Sequence, residues 1–340
     1  MAIVGAGNIG TIRARTIATS GRGCVRAVAD ADLSRARALG EQYGAAATAD
    51  WREVVCRPDV DAVIISTPTK YHVQVAVEAL TAGKHVLCEK PLARTIEEGE
   101  RIVEAACQAK RVLKTGFNYR QMAHTRKARE LLALGAIGPI YFLRSRYGHG
   151  GRPGYEKHWC TDAELSGGGV LQEQGIHIVD LIRMFVGEPS RVLAQMPRYF
   201  WPFADVEDNC FCLFETPTGQ IAQMHASWTQ WRNILEIEIF GRDGYLRLEG
   251  RGGHYGPQRL TWGKRQMNHS RPEEEVFSFG EEDDSWVHEW GEFVELVHDG
   301  KDRLISIEEG LRTQRLVDAA YQSAKQKCWI EIHHFTMEKP

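Results

Sequence analysis

Ala2-Ile3-Val4-Gly5-Ala6-Gly7-Asn8-Ile9-Gly10 opens the chain. Three apolar residues lead into glycines spaced as G-x-G-x-x-G, and residues 11–20 then read as a helix closed by Gly21. In such a strand–turn–helix Gly5 permits the tight turn, Gly7 lets a pyrophosphate approach backbone, and Gly10 allows the helix to pack closely on the strand. The helix N-terminus then faces the phosphates, so Asn8 and Ile9 belong with the glycines as candidate cofactor-binding residues. Asp30 ends the next strand signal, 20 residues after Gly10. A carboxylate there accepts hydrogen bonds from ribose hydroxyls and repels a 2′-phosphate. Asp32 adds to that repulsion. The expected cofactor is NAD, with Arg35 and Arg37 keeping NADP open. Only four residues precede Gly5, a short opening for a central strand.

The alternation continues outward from this turn. Strand signals at 2–4, 25–29, 62–66, 85–88 and 112–117 alternate with helix signals at 11–20, 33–43, 73–82 and 96–110. Alternation of this kind implies right-handed crossovers and a doubly wound parallel sheet, an α/β Rossmann domain over residues 1–119. Beyond residue 120 the pattern changes. A helix at 125–134 and a strand at 140–147 lead to a helix at 169–185. Strand signals then follow in series from residue 191, with helices at 286–297 and 308–324. Residues 120–340 therefore read as an α+β domain with a mostly antiparallel sheet.

Bulk properties exclude several classes. The 340 residues suffice for two cores. The 42 Lys and Arg against 45 Asp and Glu leave a formal charge of −3, which argues against nucleic acid or an anionic membrane as partner. No apolar run reaches bilayer length, and no basic-then-apolar leader opens the chain. The eight cysteines lack zinc or CxxC spacing, so no metal is expected and reduced thiols in a cytoplasm are. Cys210 and Cys212 share one face of a strand. Asn268-His269-Ser270 matches a glycosylation sequon that, without a leader, reads as chance.

Two further stretches carry chemistry. Glu89-Lys90-Pro91 ends the strand at 85–88, and ligands of open parallel sheets sit beyond the strands' carboxyl ends. An ammonium there stabilises a developing alkoxide, and a lysine of lowered pKa takes a proton. Thr67-Pro68 ends the neighbouring strand, and these two residues, with Glu89, are expected to line the same crevice; His72 is expected either to line it or only to pack there. Gly167-Gly168-Gly169 precedes Glu173, His177 and Asp180, whose spacing places them on one helix face. His177 suits general acid–base work, Glu173 would orient it or bind a substrate hydroxyl, and Asp180 reads as structural. The glycine triplet is expected to leave room for a ligand near backbone. The loop with Tyr147, His149, Arg152, Tyr155, His158 and Trp159 fits both a sugar-binding surface and packing between domains. Trp228 and Trp231 read as sheet packing or a subunit contact, and 281–284 as a solvated acidic run.

These elements resemble the glucose–fructose oxidoreductase/inositol dehydrogenase family (Gfo/Idh/MocA). The likeness rests on the glycine turn, the stretch 61–68 ending in Ser66-Thr67-Pro68, Glu89-Lys90-Pro91, Gly116-Phe117-Asn118 and residues 167–180. It implies NAD(P)-dependent oxidation or reduction at a ring carbon of a sugar, cyclitol or nucleotide sugar. It implies that the mostly antiparallel sheet of residues 120–340 is open and that this domain binds substrate and mediates oligomerisation. It implies that Lys90 and His177 are catalytic, and that copies pair as homodimers or homotetramers through the second domain's sheet. Members commonly carry aspartate where this chain has Glu173, one methylene longer, which bears on the ring position presented. A nucleotide sugar would need cations for its diphosphate, for which Arg152 and Lys157 are the candidates. A non-catalytic cofactor-binding regulator on the same fold would need neither Lys90 nor His177.

Overall fold

A computed structural model describes residues 1–201, 205–267, 270–300 and 303–332. Asn268 and His269 of the sequon lie outside them. The chain divides into two compact units. The first comprises Met1–Asn118, Glu164–Gly167 and Trp286–Gln314; the second comprises Tyr119–Ala163, Gly168–Ser285 and Arg315–Pro340.

In the first unit six strands are β1 (Ala2–Val4), β2 (Ala27–Ala29), β3 (Ala46–Thr48), β4 (Ala62–Ile65), β5 (His85–Glu89) and β6 (Leu113–Gly116). All neighbours pair in parallel, in the order β3-β2-β1-β4-β5-β6. That is the dinucleotide-binding order, with the reversal beside β1. Helices α1 (Asn8–Ser20), α2 (Leu33–Tyr43), α3 (Trp51–Val55), α4 (His72–Thr81) and α5 (Ile96–Ala109) connect them. Val4 pairs with both Ala29 and Ile65, so Gly5, Asp30 and Ser66 emerge at one level at the carboxyl edge. The first helix starts at Asn8, earlier than expected, because its first turn is the glycine turn itself. Strand β3 and α3 have no counterpart in the sequence reading. Ala46-Ala47-Thr48 is an edge strand, exposed or half-buried, so no apolar run marks it.

The second unit starts from α6 (Ala123–Ala133) and β7 (Ile140–Gly148). A four-residue helix, α7 (Ala163–Ser166), falls where the chain passes between units. A π-helical turn at Leu171–Gly175 runs into α8 (Ile176–Val186). The continuous helix expected over 169–185 is thus interrupted. Such single π turns are frequent at functional sites. Strands β8 (Arg191–Gln195), β9 (Asn209–Glu215), β10 (Ile221–Ser227), β11 (Ile234–Gly241), β12 (Gly244–Glu249), β13 (Arg259–Lys264), β14 (Glu273–Ser278) and β15 (Ile330–Glu331) complete a nine-stranded sheet. Its order is β14-β13-β12-β11-β7-β10-β9-β8-β15; only β7 and β10 pair in parallel. Period-two alternation sends Ala222, Met224 and Ala226 of β10 inward, where α8 packs on β7 and β10. A Cβ on Gly175 would lie 3.1 Å from the Met224 methyl, so glycine lets the start of α8 settle on β10. The opposite face carries the cross-strand pairs Arg144–Glu238 and Arg146–Glu236 and the stacked rings of Phe142 and Phe240.

Helices α9 (Ser285–Asp299) and α10 (Arg303–Gln326) fall between β14 and β15 in sequence, yet Trp286–Gln314 returns to the first unit. The expected single division at 119/120 therefore differs from the observed one. The reason is burial: Trp290, Phe293 and Val294 of α9 join Ile3, Ala14, Ile17, Val28 and Ile64 in one apolar cluster. Cys210 and Cys212 lie on one face of β9 with sulfurs 3.3 Å apart, and the eight cysteines, all among the described residues, form no disulfide. No described helix is long and apolar enough to cross a membrane.

Candidate active site

The glycine turn has the geometry a dinucleotide requires. Gly5 has φ +99° and its backbone lies against Ser66 and Thr67, so a Cβ would sit 2.6 Å from the Ser66 carbonyl. A Cβ on Gly10 would fall 1.9 Å from the Gly5 oxygen, so α1 starts in direct contact with the turn. Gly7 is the exception: its φ of −76° suits any residue, and a Cβ there meets nothing within 4 Å. That open space beside the helix N-terminus is where a pyrophosphate fits. Asp30 closes the turn, accepting from the Ala6 amide at 2.7 Å and the Asp32 amide at 2.9 Å. Each carboxylate oxygen keeps a second lone pair for a ribose hydroxyl. Asp32 caps α2 through the Ser34 amide and pairs with Arg35, while Arg37 is exposed. The residues present therefore fit NAD.

These contrasts separate fold from binding. Gly7→Ala is expected to leave thermal stability within about 0.5 kcal/mol and to weaken NADH binding at least tenfold, about 1.4 kcal/mol. Gly10→Ala is expected to lower stability by about 1–3 kcal/mol through overpacking. Melting curves with NADH fluorescence titrations check both; unchanged binding in Gly7→Ala would contradict the assignment.

Lys90 stands just beyond β5, half-exposed, between two anchored neighbours. Glu89 accepts from Arg13 Nε at 2.7 Å. The Pro91 carbonyl meets His72 Nδ1 at 2.9 Å, and His72 Nε2 meets the Thr67 carbonyl at 3.0 Å. The Lys90–Pro91 peptide is cis. Glu89 is expected from the sequence to line the crevice, and His72 either to line it or only to pack there. His72 is 1 % exposed with both nitrogens facing main-chain oxygens, and the Glu89 carboxylate is instead buried against Arg13. Both brace the walls rather than form them. Burial lowers the His72 pKa, against the pull of the two carbonyls. Thr67 and Pro68 remain half-exposed, and the buried Thr67 hydroxyl has no hydrogen-bond partner among the described residues.

In the second unit the glycine triplet serves a different purpose from the one expected. A Cβ on Gly168 would lie 2.2 Å from the Tyr321 hydroxyl, and one on Gly169 would lie 2.2 Å from the Glu207 carbonyl oxygen. The chain's own side chains occupy that space. Glu207 accepts from the amides of Gly169 and Leu171 and from the Tyr321 hydroxyl, so a buried carboxylate caps the π turn. Burial raises its pKa and those donors draw it back. Sequence reading missed Glu207, whose acidic surroundings at 205–208 carry no periodic signal.

The capped turn presents Glu173 and His177 amid rings from distant segments. Tyr119 stacks on His177 with centroids 3.9 Å apart and planes 9° from parallel, and its hydroxyl meets that of Tyr147. Tyr255 tilts against Tyr147, and Arg251 lies over Tyr255 at 4.3 Å. Tyr155 stacks on His158 at 5.9 Å and stands edge-on to Trp228 at 5.2 Å. Burial raises the Tyr155 pKa and the nearby Glu173 carboxylate adds to it. Burial lowers the pKa values of His149 and His158, and Glu173 pulls each back up. Glu173 is thus electrostatically close to this whole ring of side chains. Tyr155 is buried while His158 and Trp159 are half-exposed, so the aromatic loop both packs and offers surface. Trp228 is fully buried; Trp231 is exposed. Asp180 is spent structurally, held by Arg120 through bonds of 2.7 and 2.6 Å. Tyr147 was named with the aromatic loop, whereas Tyr119 and the pair Arg251 and Tyr255, from the loop after β12, were missed because no local pattern marks them. Among the described residues no cluster of three or more His, Cys, Asp or Glu side chains is placed to hold a metal.

Residues 1–117 match the model of an oxidoreductase family with an NAD-binding Rossmann fold, and residues 125–247 match the GFO/IDH/MocA C-terminal domain. Inositol 2-dehydrogenase 3 of Saccharopolyspora erythraea is 30% identical over 252 residues, 72% of each chain. D-glucoside 3-dehydrogenase of Escherichia coli (strain K12) is 27% identical, covering 98% of this chain and 97% of its own. The solved complex of levoglucosan dehydrogenase with NADH shares the fold, with a TM-score of 0.87 at 23% identity over 98% of this chain and 99% of that one.

Proposed function

The chain belongs to the Gfo/Idh/MocA family of oxidoreductases with an NAD-binding Rossmann domain, and we propose that it moves a hydride between NAD and a secondary carbon of a neutral polyol ring, a sugar or a cyclitol. The observation that carries this reading is the setting of Glu173. One carboxylate lies electrostatically close to phenols and imidazoles, which together offer hydrogen bonds to hydroxyls and flat faces to ring carbons. The relatives named for inositol and for a D-glucoside are consistent with it. A nucleotide sugar is disfavoured. Its diphosphate would meet the Glu173 carboxylate, and the cations considered for it, Arg152 and Lys157, are exposed.

NAD, when bound, accepts the hydride from carbon. The hydroxyl proton must leave as the hydride does. In this proposal the His177 imidazole takes that proton and the Lys90 ammonium donates a hydrogen bond to the oxygen as it becomes an alkoxide. Glu173 accepts from a neighbouring substrate hydroxyl and so selects which carbon is presented. In ketone reduction the same groups act in reverse. His158 and Trp159 supply the stacking surface, and the buried Tyr155 ring backs His158. Copies pair through the outer sheet face, where Phe211 is exposed and stacks on His225.

The test is a screen for nicotinamide reduction across inositols, glucosides, anhydrosugars and free hexoses, with sugar acids and nucleotide sugars as outgroups. Turnover of at least one neutral polyol is expected; turnover of nucleotide sugars alone would overturn the proposal. Parallel titration with NADH and NADPH should give tighter NADH binding because of Asp30. Tighter NADPH binding would refute that role.

A further inference from the structure

We propose that Tyr119 is a positioning residue that holds the His177 ring in place and raises its affinity for a proton. This rests on the reading of His177 as the group that exchanges the hydroxyl proton. The segment containing Tyr119 grips α8 at two points three residues apart. The Tyr119 ring lies flat on His177, with centroids 3.9 Å apart and planes 9° from parallel, and the next residue, Arg120, binds Asp180 through two hydrogen bonds. Tyr119 cannot turn away, because its hydroxyl is bonded to Tyr147 and it is 4 % exposed.

The geometry has an electrostatic consequence. A phenol ring presents a negative face. A neutral imidazole stacked flat upon it gains little, whereas an imidazolium gains a cation–π attraction. The stack therefore favours the protonated ring. His177 is 6 % exposed, and burial alone disfavours its charge. The phenol face offsets that penalty, leaving an imidazole able to accept a proton in a desolvated place. Burial pushes the Tyr119 hydroxyl up to about 12, so the ring stays a neutral phenol throughout.

Other charged and titratable groups lie around α8. Glu173 precedes His177 on the π turn, Asp180 is shared between Arg120 and Arg183, Tyr147 comes from β7, and Arg251 and Tyr255 come from the loop after β12. They set the absolute value; the one that changes with residue 119 is Tyr147, which loses its hydroxyl partner, so Tyr119→Phe is the reference for the leucine and fluorinated variants.

The experiment is a titration of His177 itself. Histidine is labelled with carbon-13 in the full chain, and the His177 resonance is identified by its loss in His177→Asn. Its pKa is then measured in the wild type, in Tyr119→Phe, in Tyr119→Leu, and with phenylalanines of increasing ring fluorination at position 119. Fluorination weakens the negative face while keeping the shape, so the series is informative even if Tyr119→Leu does not fold. Tyr119→Phe should stay close to the wild type. Tyr119→Leu and the most fluorinated ring should lower the pKa by about one unit, the size of a desolvated cation–π contact. A pKa flat across the fluorinated series would overturn the proposal, as would an equal fall in Phe and Leu. The acid limb of the NAD-reduction profile should shift in parallel. Absence of turnover with every polyol refutes the functional reading instead, and the His177 titration still decides the role of Tyr119.

Discussion

Lys90→Met is expected to lower turnover by about a hundred- to ten-thousand-fold while NADH binds within a few-fold of the wild type. The expectation follows from how the backbone delivers this residue. Cys88 of β5 pairs with Ile65 of β4, and Glu89 pairs with Gly116 of β6, so Lys90 is the first residue past the ladder on the carboxyl edge. Its neighbours are held by Arg13 on one side and His72 on the other. A lysine needed only for solubility would gain nothing from such anchoring. Methionine keeps the length and apolar stem but donates nothing to an alkoxide, so the loss should fall on kcat. Turnover within threefold of the wild type would rule out a chemical role. Equal losses in turnover and NADH affinity would make Lys90 a cofactor-holding residue.

Arg13→Met is expected to destabilise the first unit by about 3–5 kcal/mol, seen as a fall of roughly 6 °C or more in its melting temperature. Arg13 lies on α1, is 1 % exposed, and joins two buried carboxylates, Glu89 and Glu289 at 2.7 Å. Trp286 covers its guanidinium at 4.6 Å. Removing the cation leaves two carboxylates without their counter-charge in a dry place, and that uncompensated charge dominates the cost. Burial already raises the Glu289 pKa, against the attraction of Arg13. A carboxyl with a raised folded pKa contributes stability that is full below its unfolded pKa and is lost as pH rises through the folded one. The deficit of Arg13→Met should therefore be smallest in acid and grow towards neutrality. Adding Glu289→Gln should restore part of it. A deficit that does not change with pH would mean lost packing, not lost charge.

The triad also shows where legibility in the sequence ends. Arg13, Glu89 and Glu289 come from three remote segments, and nothing in their local patterns links them. The same holds for Glu207, which fills the space beside Gly169 that the sequence suggested for a ligand. By contrast Gly5, Gly7, Gly10 and Asp30 were legible because their task is local: a turn, an open approach and a strand end lie within one βαβ unit. The edge strand β3 was not legible, since a half-exposed Ala-Ala-Thr carries no apolar signature.

By itself the sequence determined the Rossmann half, its NAD-binding glycine turn and the candidates Lys90, Glu173 and His177, because short-range periodicity and turn chemistry encode strands, helices and tight turns. Only the tertiary structure decided what surrounds them. It assigned His72 and Glu89 to bracing, returned α9 to the first unit, and set Tyr119 flat on His177. The physical reason is that burial and ring stacking depend on which remote segments meet, and that meeting is settled by packing of the whole unit.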